Sequence, residues 1–199
     1  MVTLQKTAGG NKPFQRFKYT TSRINTCVFV IDIQEKLLPI VPEAETVLKN
    51  TSVLLEAAKA YQLKAVYSEQ YPKGLGKTVS PLREALEELA AFQLEKTSYN
   101  ALLPEMLAEL KERDCKQIII TGIETHICVL QTVRSLLEKG FTVFIPHDAV
   151  GSRDPENKHV ALELLRDAGA TITSTETILF DLMGDSKDPH FKELQALIK

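Results

Sequence analysis

From Ile24 to the end of the chain, short apolar runs rich in β-branched residues alternate with longer stretches of helical period. No other feature constrains the fold as tightly. The runs INTCVFVID (24–32), LKAVYSE (63–69), AFQLEK (91–96), KQIIITG (116–122), FTVFIP (141–146) and ATITS (170–174) predict strands. They are almost continuously apolar, as strands of a parallel sheet covered on both faces must be. Helices are predicted over 43–61, 81–90, 99–113, 125–139, 155–168, 175–184 and 189–198. Pro42 and Pro81 fall in first turns, Asn100 near an N-terminus, and Gly140 and Gly169 just past C-termini. Strands separated by crossover helices imply one α/β domain, a three-layer doubly wound fold with a six-stranded parallel sheet and helices on both faces. We divide the chain into an N-terminal arm, 1–22, and this domain, 23–199.

Composition removes several function classes. The chain of 199 residues has a formal charge of −2, so it offers no general attraction to nucleic acid or to anionic lipid. No apolar stretch approaches the ~18 residues of a membrane span. The three cysteines, Cys27, Cys115 and Cys128, are odd in number and do not form a secreted disulfide pattern. A reducing compartment, the cytoplasm, is the natural reading. Residues 1–23 complicate it, because they hold five basic residues and no Asp or Glu, leaving the rest of the chain acidic. They read as an arm lying on the domain or on a neighbouring subunit; the alternative is a mitochondrial targeting segment.

Ligands of doubly wound sheets bind beyond the carboxyl ends of the strands. Asp32 follows the first strand, Lys96 ends the third, and Cys128 follows the fourth, in Thr121-Gly122-Ile123-Glu124-Thr125-His126-Ile127-Cys128. Taken singly, each has an ordinary explanation: a helix-capping acid, a solvated loop lysine, a small core thiol. Together, on one rim, they make a chemically complete set. Cys128 supplies a nucleophile, Asp32 takes its proton, and Lys96 holds the carboxylate charged and favours the thiolate, as does a helix N-terminus behind the sulfur. Backbone N–H groups between Gly122 and Cys128 are placed to hold an oxyanion.

The segments CVFVIDIQEKL, SEQYPKGLGKTV, LEKTSYNAL, ITGIETHICVLQTV, IPHDAVGSR and LFDLMGDSKDPHFKELQALIK, in order over roughly residues 22–199, resemble the isochorismatase-like cysteine hydrolases, and among them the isochorismatase domain-containing proteins of animals and protozoa. The resemblance implies an Asp32-Lys96-Cys128 triad, a cis Ile123–Glu124 peptide and an oxyanion hole made by the N–H groups of Glu124 and Cys128. It implies hydrolysis of a small amide or related acyl compound through a thioester. The nicotinamidases of this superfamily carry an Asp-x-His metal pair after the second strand, where this chain has Glu69-Gln70-Tyr71. Losing the imidazole argues against a metal, so no metal and no cofactor is expected. True isochorismatases lack the cysteine, so Cys128 points to acyl chemistry.

Gln34, Tyr71 and Thr125 are expected to contact the substrate. The run Gly74-Leu75-Gly76-Lys77-Thr78 is no phosphate loop, because Tyr71 stands where that pattern needs glycine; an ordered loop over 70–80 beside the rim is expected instead. His147-Asp148 is read as a structural turn. The partners expected are a small-molecule substrate and further copies of the chain, through helix 189–198 and the basic arm, with neither nucleic acid nor membrane. Strand order 3-2-1-4-5-6 would bring the three site residues together. The alternatives from other classes are a non-catalytic member binding a small molecule or partner in the same pocket, and a thiol redox sensor centred on Cys128.

Overall fold

The computed structural model describes residues 20–199. Most of the arm 1–22, and with it the question of targeting, lies outside the described residues. The elements in chain order are β1 (Thr26–Ile31), α1 (Ala44–Tyr61), β2 (Lys64–Gln70), α2 (Pro72–Leu75), α3 (Ser80–Glu88), β3 (Phe92–Lys96), α4 (Pro104–Glu112), β4 (Gln117–Ile123), α5 (Leu130–Glu138), β5 (Thr142–Pro146), β6 (Val150–Gly151), α6 (Pro155–Asp167), β7 (Thr171–Thr173), α7 (Thr175–Met183) and α8 (Phe191–Ala196). A 3₁₀ turn (Leu38–Ile40) precedes α1, and a π-helical turn (Thr125–Val129) leads into α5.

The sheet runs β3-β2-β1-β4-β5-β7, with β6 pairing β4 beside this path. Its strand pairings are parallel. The expected order is present, but the sheet has seven strands and not six. β4 is longer than its neighbour: Gln117–Ile119 pair with β5, while Gly122 and Ile123 pair with Val150 and Gly151 of β6. A two-residue strand carries no periodicity, so nothing in the sequence announces it.

Alternate residues of each strand feed opposite faces. Val28 and Val30 of β1, with Ile119 of β4, pack beneath α1, α3, α7 and α8. Cys27, Phe29 and Ile31, with Ile118 and Ile120, pack beneath α4, α5 and α6. Helix α8 belongs to the first of these layers. Leu194 is buried there, with Phe191, Leu197 and Ile198 packed around it. The apolar residues of this helix cover its own core, Leu194 fully and Phe191, Leu197 and Ile198 in part.

Three local differences have clear causes. Helix α4 starts at Pro104 and not near 99, because the ring of Pro104 keeps Leu103 extended. Asn100 instead accepts from the Leu102 N–H (2.9 Å) and donates to Ser135 Oγ (3.0 Å). The predicted helix 125–139 opens as a π-turn, so Cys128 does not sit in an α-helical first turn. The loop expected over 70–80 contains the single turn α2.

Gly122 governs how closely β1 and β4 approach. It pairs with Ile31 at φ +144°, and a Cβ there would lie 2.3 Å from the Ile31 carbonyl oxygen. Gly140 also has positive φ (+84°) but meets nothing within 4 Å. Gly122→Ala is expected to cost about 2–4 kcal/mol, and Gly140→Ala about 1 kcal/mol. Urea midpoints of the two variants check this; equal midpoints would show that the strand approach is not limiting.

Candidate active site

Asp32 follows β1 in the left-handed region (φ 53°). Its N–H donates to the Ser68 carbonyl (3.1 Å), which directs the carboxylate across β2. Oδ1 accepts from Ser68 Oγ (2.7 Å) and Oδ2 from Lys96 Nζ (2.7 Å). Both charged side chains are 0% exposed. Lys96 also donates to Gln70 Oε1 at 2.7 Å. Three adjacent strands thus hold one ion pair with each carboxylate oxygen occupied, which is the condition for burying charge.

Cys128, buried in the π-turn at 6% exposure, interacts with both members of the pair. Burial pushes its thiol up to about 12; the Asp32 charge adds to the rise and Lys96 partly opposes it. This corrects the expectation that the helix and Lys96 favour the thiolate at rest. Desolvation outweighs both, because the Lys96 charge is already shared with Asp32. The resting group is a neutral thiol, and ionising it requires moving the proton to a nearby acceptor. The turn is anchored from behind: Thr132 Oγ1 donates to the Cys128 carbonyl (2.6 Å) and accepts the Ala101 N–H (2.9 Å).

The Ile123–Glu124 peptide is cis. The Glu124 carboxylate is buried, with Oε1 3.5 Å from Arg153 Nη1 and Oε2 3.4 Å from His126 Nδ1. His126 Nδ1 also lies 3.0 Å from Ser152 Oγ. Thr125 is fully buried, and its Oγ1 has no hydrogen-bond partner among the described residues. Tyr71, at φ 38° and 54% exposed, lines a cavity of about 470 Å³ with Lys73, Glu95, Lys96 and Leu103.

Gln34 is placed differently from the expectation. It is fully buried; its Oε1 accepts the Gln70 N–H, and its Nε2 donates to the carbonyls of Gln70 and Gly76. Those bonds use its amide, so Gln34 fastens the 70–76 segment and does not face substrate. Glu69 is likewise spent: it accepts from the Thr78 N–H (2.6 Å) and from Gln93 Nε2 (2.9 Å). With Tyr71 turned outward, these residues do not fit a metal. No group of three or more His, Cys, Asp or Glu able to hold one occurs among the described residues.

Cys115, between charged neighbours in the sequence, is 3% exposed and packs in the same layer as Cys27. Asp148 is structural, accepting from the N–H and Oγ1 of Thr175 (2.9 Å each) at the start of α7. Sequence reasoning missed Ser68, Gln70 and Thr132. Ser68 and Thr132 are polar residues inside elements and Gln70 ends β2 as an ordinary amide, so only the second partner of each hydrogen bond reveals its role.

Residues 26–177 match the family model described as the Isochorismatase domain. The chain is 40% identical over 173 residues to Isochorismatase family protein 1A of Dictyostelium discoideum, covering 85% of this chain and 84% of that protein. Among solved structures it is similar to the MAR1 ribonuclease of Caenorhabditis elegans, with a TM-score of 0.85, 37% identity and coverage of 90% and 92%. It is also similar to YcaC of Pseudomonas aeruginosa, solved with hexane-2,5-diol and covalent acrylamide, with a TM-score of 0.82, 25% identity and 90% coverage of each chain.

Because the Cys128 thiol titrates near 12, its thiolate fraction rises with pH throughout the neutral and mildly basic range. Alkylation of folded protein by iodoacetamide is expected to accelerate about tenfold per pH unit from pH 7 to 10. Peptide mass spectrometry of the Cys128 peptide gives the rates. A plateau near neutrality would mean that the thiolate is already present at rest.

Proposed function

The chain belongs to the isochorismatase family, and on that premise we propose that it is a cysteine hydrolase of a small amide or related acyl compound, acting through a thioester. One observation carries the reading: a buried carboxylate, held in place by a buried ammonium, raises the pKa of the buried Cys128 thiol beside it. Asp32 takes the Cys128 proton as sulfur attacks the carbonyl carbon. The N–H groups of Glu124 and Cys128 hold the developing oxyanion. The tetrahedral intermediate expels the amine, which leaves with the proton from Asp32. Water, losing a proton to Asp32, then attacks the thioester, releases the acid and restores the thiol as that proton returns to sulfur. Lys96 fixes Asp32 and balances charge on sulfur. Tyr71 and Thr125 are the proposed substrate contacts, one on the cavity wall and the other with a buried hydroxyl lacking a partner among the described residues.

The covalent acrylamide on the Pseudomonas relative supports a reactive nucleophile in this family. The redox-sensor reading is disfavoured by the raised thiol, since peroxide reacts with thiolate. The ribonuclease name of the Caenorhabditis protein is not carried over, because this chain's net charge of −2 gives it no general pull on RNA. No helix among the described residues is long and apolar enough to cross a membrane, and three free thiols suit a reducing compartment, the cytoplasm in our reading. Self-association remains part of the proposal, with exposed Tyr99, Val160 and Leu164 among the apolar residues available to it.

Screening a panel of small primary and N-substituted amides tests the proposal. Turnover is expected, and Cys128→Ser and Asp32→Asn are each expected to lower kcat/KM at least about a hundredfold, the scale of losing a nucleophile or its proton acceptor. Turnover undiminished in Cys128→Ser, or RNA cleavage in place of amide hydrolysis, would overturn it. Binding without turnover would favour the non-catalytic reading.

A further inference from the structure

We infer that Gln70 is a positioning residue that holds the Lys96 ammonium against Asp32 and Cys128. The inference rests on the site assignment made above but not on turnover. A buried ammonium has three N–H bonds to satisfy and no water with which to satisfy them. The Lys96 side chain is 0% exposed. Asp32 Oδ2 takes one N–H and Gln70 Oε1 a second, each at 2.7 Å, and the Lys96 charge opposes the rise of the nearby Cys128 thiol. Gln70 is thus the neutral acceptor that completes the ammonium's shell.

Its amide cannot turn over. Gln70 Nε2 donates to the Thr97 carbonyl at 2.9 Å, which leaves Oε1 facing Lys96. The Gln70 backbone is fixed as well, since its N–H donates to Gln34 Oε1 (2.7 Å) and its carbonyl accepts from Gln34 Nε2 (3.0 Å). Gln70 and Lys96 are register partners across β2 and β3, and the next N–H, that of Tyr71, donates to the Lys96 carbonyl at 2.8 Å. Gln34, Gln70 and Lys96 therefore form one continuous chain from the 70–76 segment to the ion pair. Without the Gln70 oxygen, the ammonium is under-coordinated beside a cavity of about 470 Å³ that it already lines. It can then swing toward water, leaving Cys128 facing the Asp32 charge without the opposing cation.

Labelling of Cys128 by iodoacetamide in the full-length protein at pH 9 separates this role from a merely structural one. Gln70→Leu is expected to slow labelling on the order of threefold to tenfold, the share of a charge-assisted hydrogen bond that reaches the thiol. Lys96→Gln should slow it further, and adding Gln70→Leu to Lys96→Gln should slow it no more. Gln70→Asn, which keeps the amide but withdraws it by one methylene, serves the same cycle if the leucine variant does not fold. Labelling unchanged in the Gln70 variants would overturn the inference. So would a loss that persists undiminished in the Lys96→Gln background, because the effect would then not pass through Lys96. Labelling needs no turnover, so a failed amide screen with an intact cycle removes the hydrolase reading and leaves Gln70's role standing.

Discussion

The ion pair between Asp32 and Lys96 is the interaction around which the rim of this sheet is arranged. Both side chains are fully buried at 2.7 Å, and removing two charges from water costs several kcal/mol per ion before their attraction offsets it. The offset requires that neither carboxylate oxygen nor ammonium proton be left without a partner. Ser68 supplies the second carboxylate bond and Gln70 the second ammonium bond. Because Asp32 directly follows β1 and Lys96 ends β3, the intervening strand β2 must lie in register beneath them, and Ser68 and Gln70 are its residues at that level. The parallel sheet thus serves to bring three chain segments, distant in sequence, to one point.

Placing the charge in the pair has a chemical consequence for Cys128. A thiol beside a lone lysine would ionise readily; beside a neutralised pair, in a buried turn, it keeps its proton. In the proposed hydrolase, such a thiol would stay protonated until a substrate carbonyl arrived and the neighbouring carboxylate accepted the proton. The π-turn contributes by presenting Cys128 at the end of β4 while Thr132 holds its carbonyl. Gly122 contributes by letting β4 approach β1 closely just below that level.

Much of this could be read from the residues alone, and what could not has physical causes. The order of strands and helices was visible because fully buried strands are uniformly apolar and their crossover helices are periodic. Asp32, Lys96 and Cys128 were visible because each interrupts or follows such a run. The strand β6 was not, since it takes its structure from the overhanging end of β4. Nor was the neutral state of Cys128, because desolvation depends on packing from several elements at once. Gln34 lies near the site in a different role: an amide two residues from the Asp32 carboxylate looks like a substrate contact until its bonds to Gln70 and Gly76 are seen. Cys115 has charged neighbours in the sequence, yet its own side chain turns into the core.

A double-mutant cycle on folding stability addresses the ion pair itself. Asp32→Asn and Lys96→Met each strand a buried group, and each should cost about 3–5 kcal/mol by urea unfolding. The double variant removes both charges together, so its loss should fall short of the sum by about 2 kcal/mol or more. That coupling is the result expected if the rim is organised around the pair. Losses that add to within about 0.5 kcal/mol would contradict the account, because they would mean that the two charges are held independently of one another.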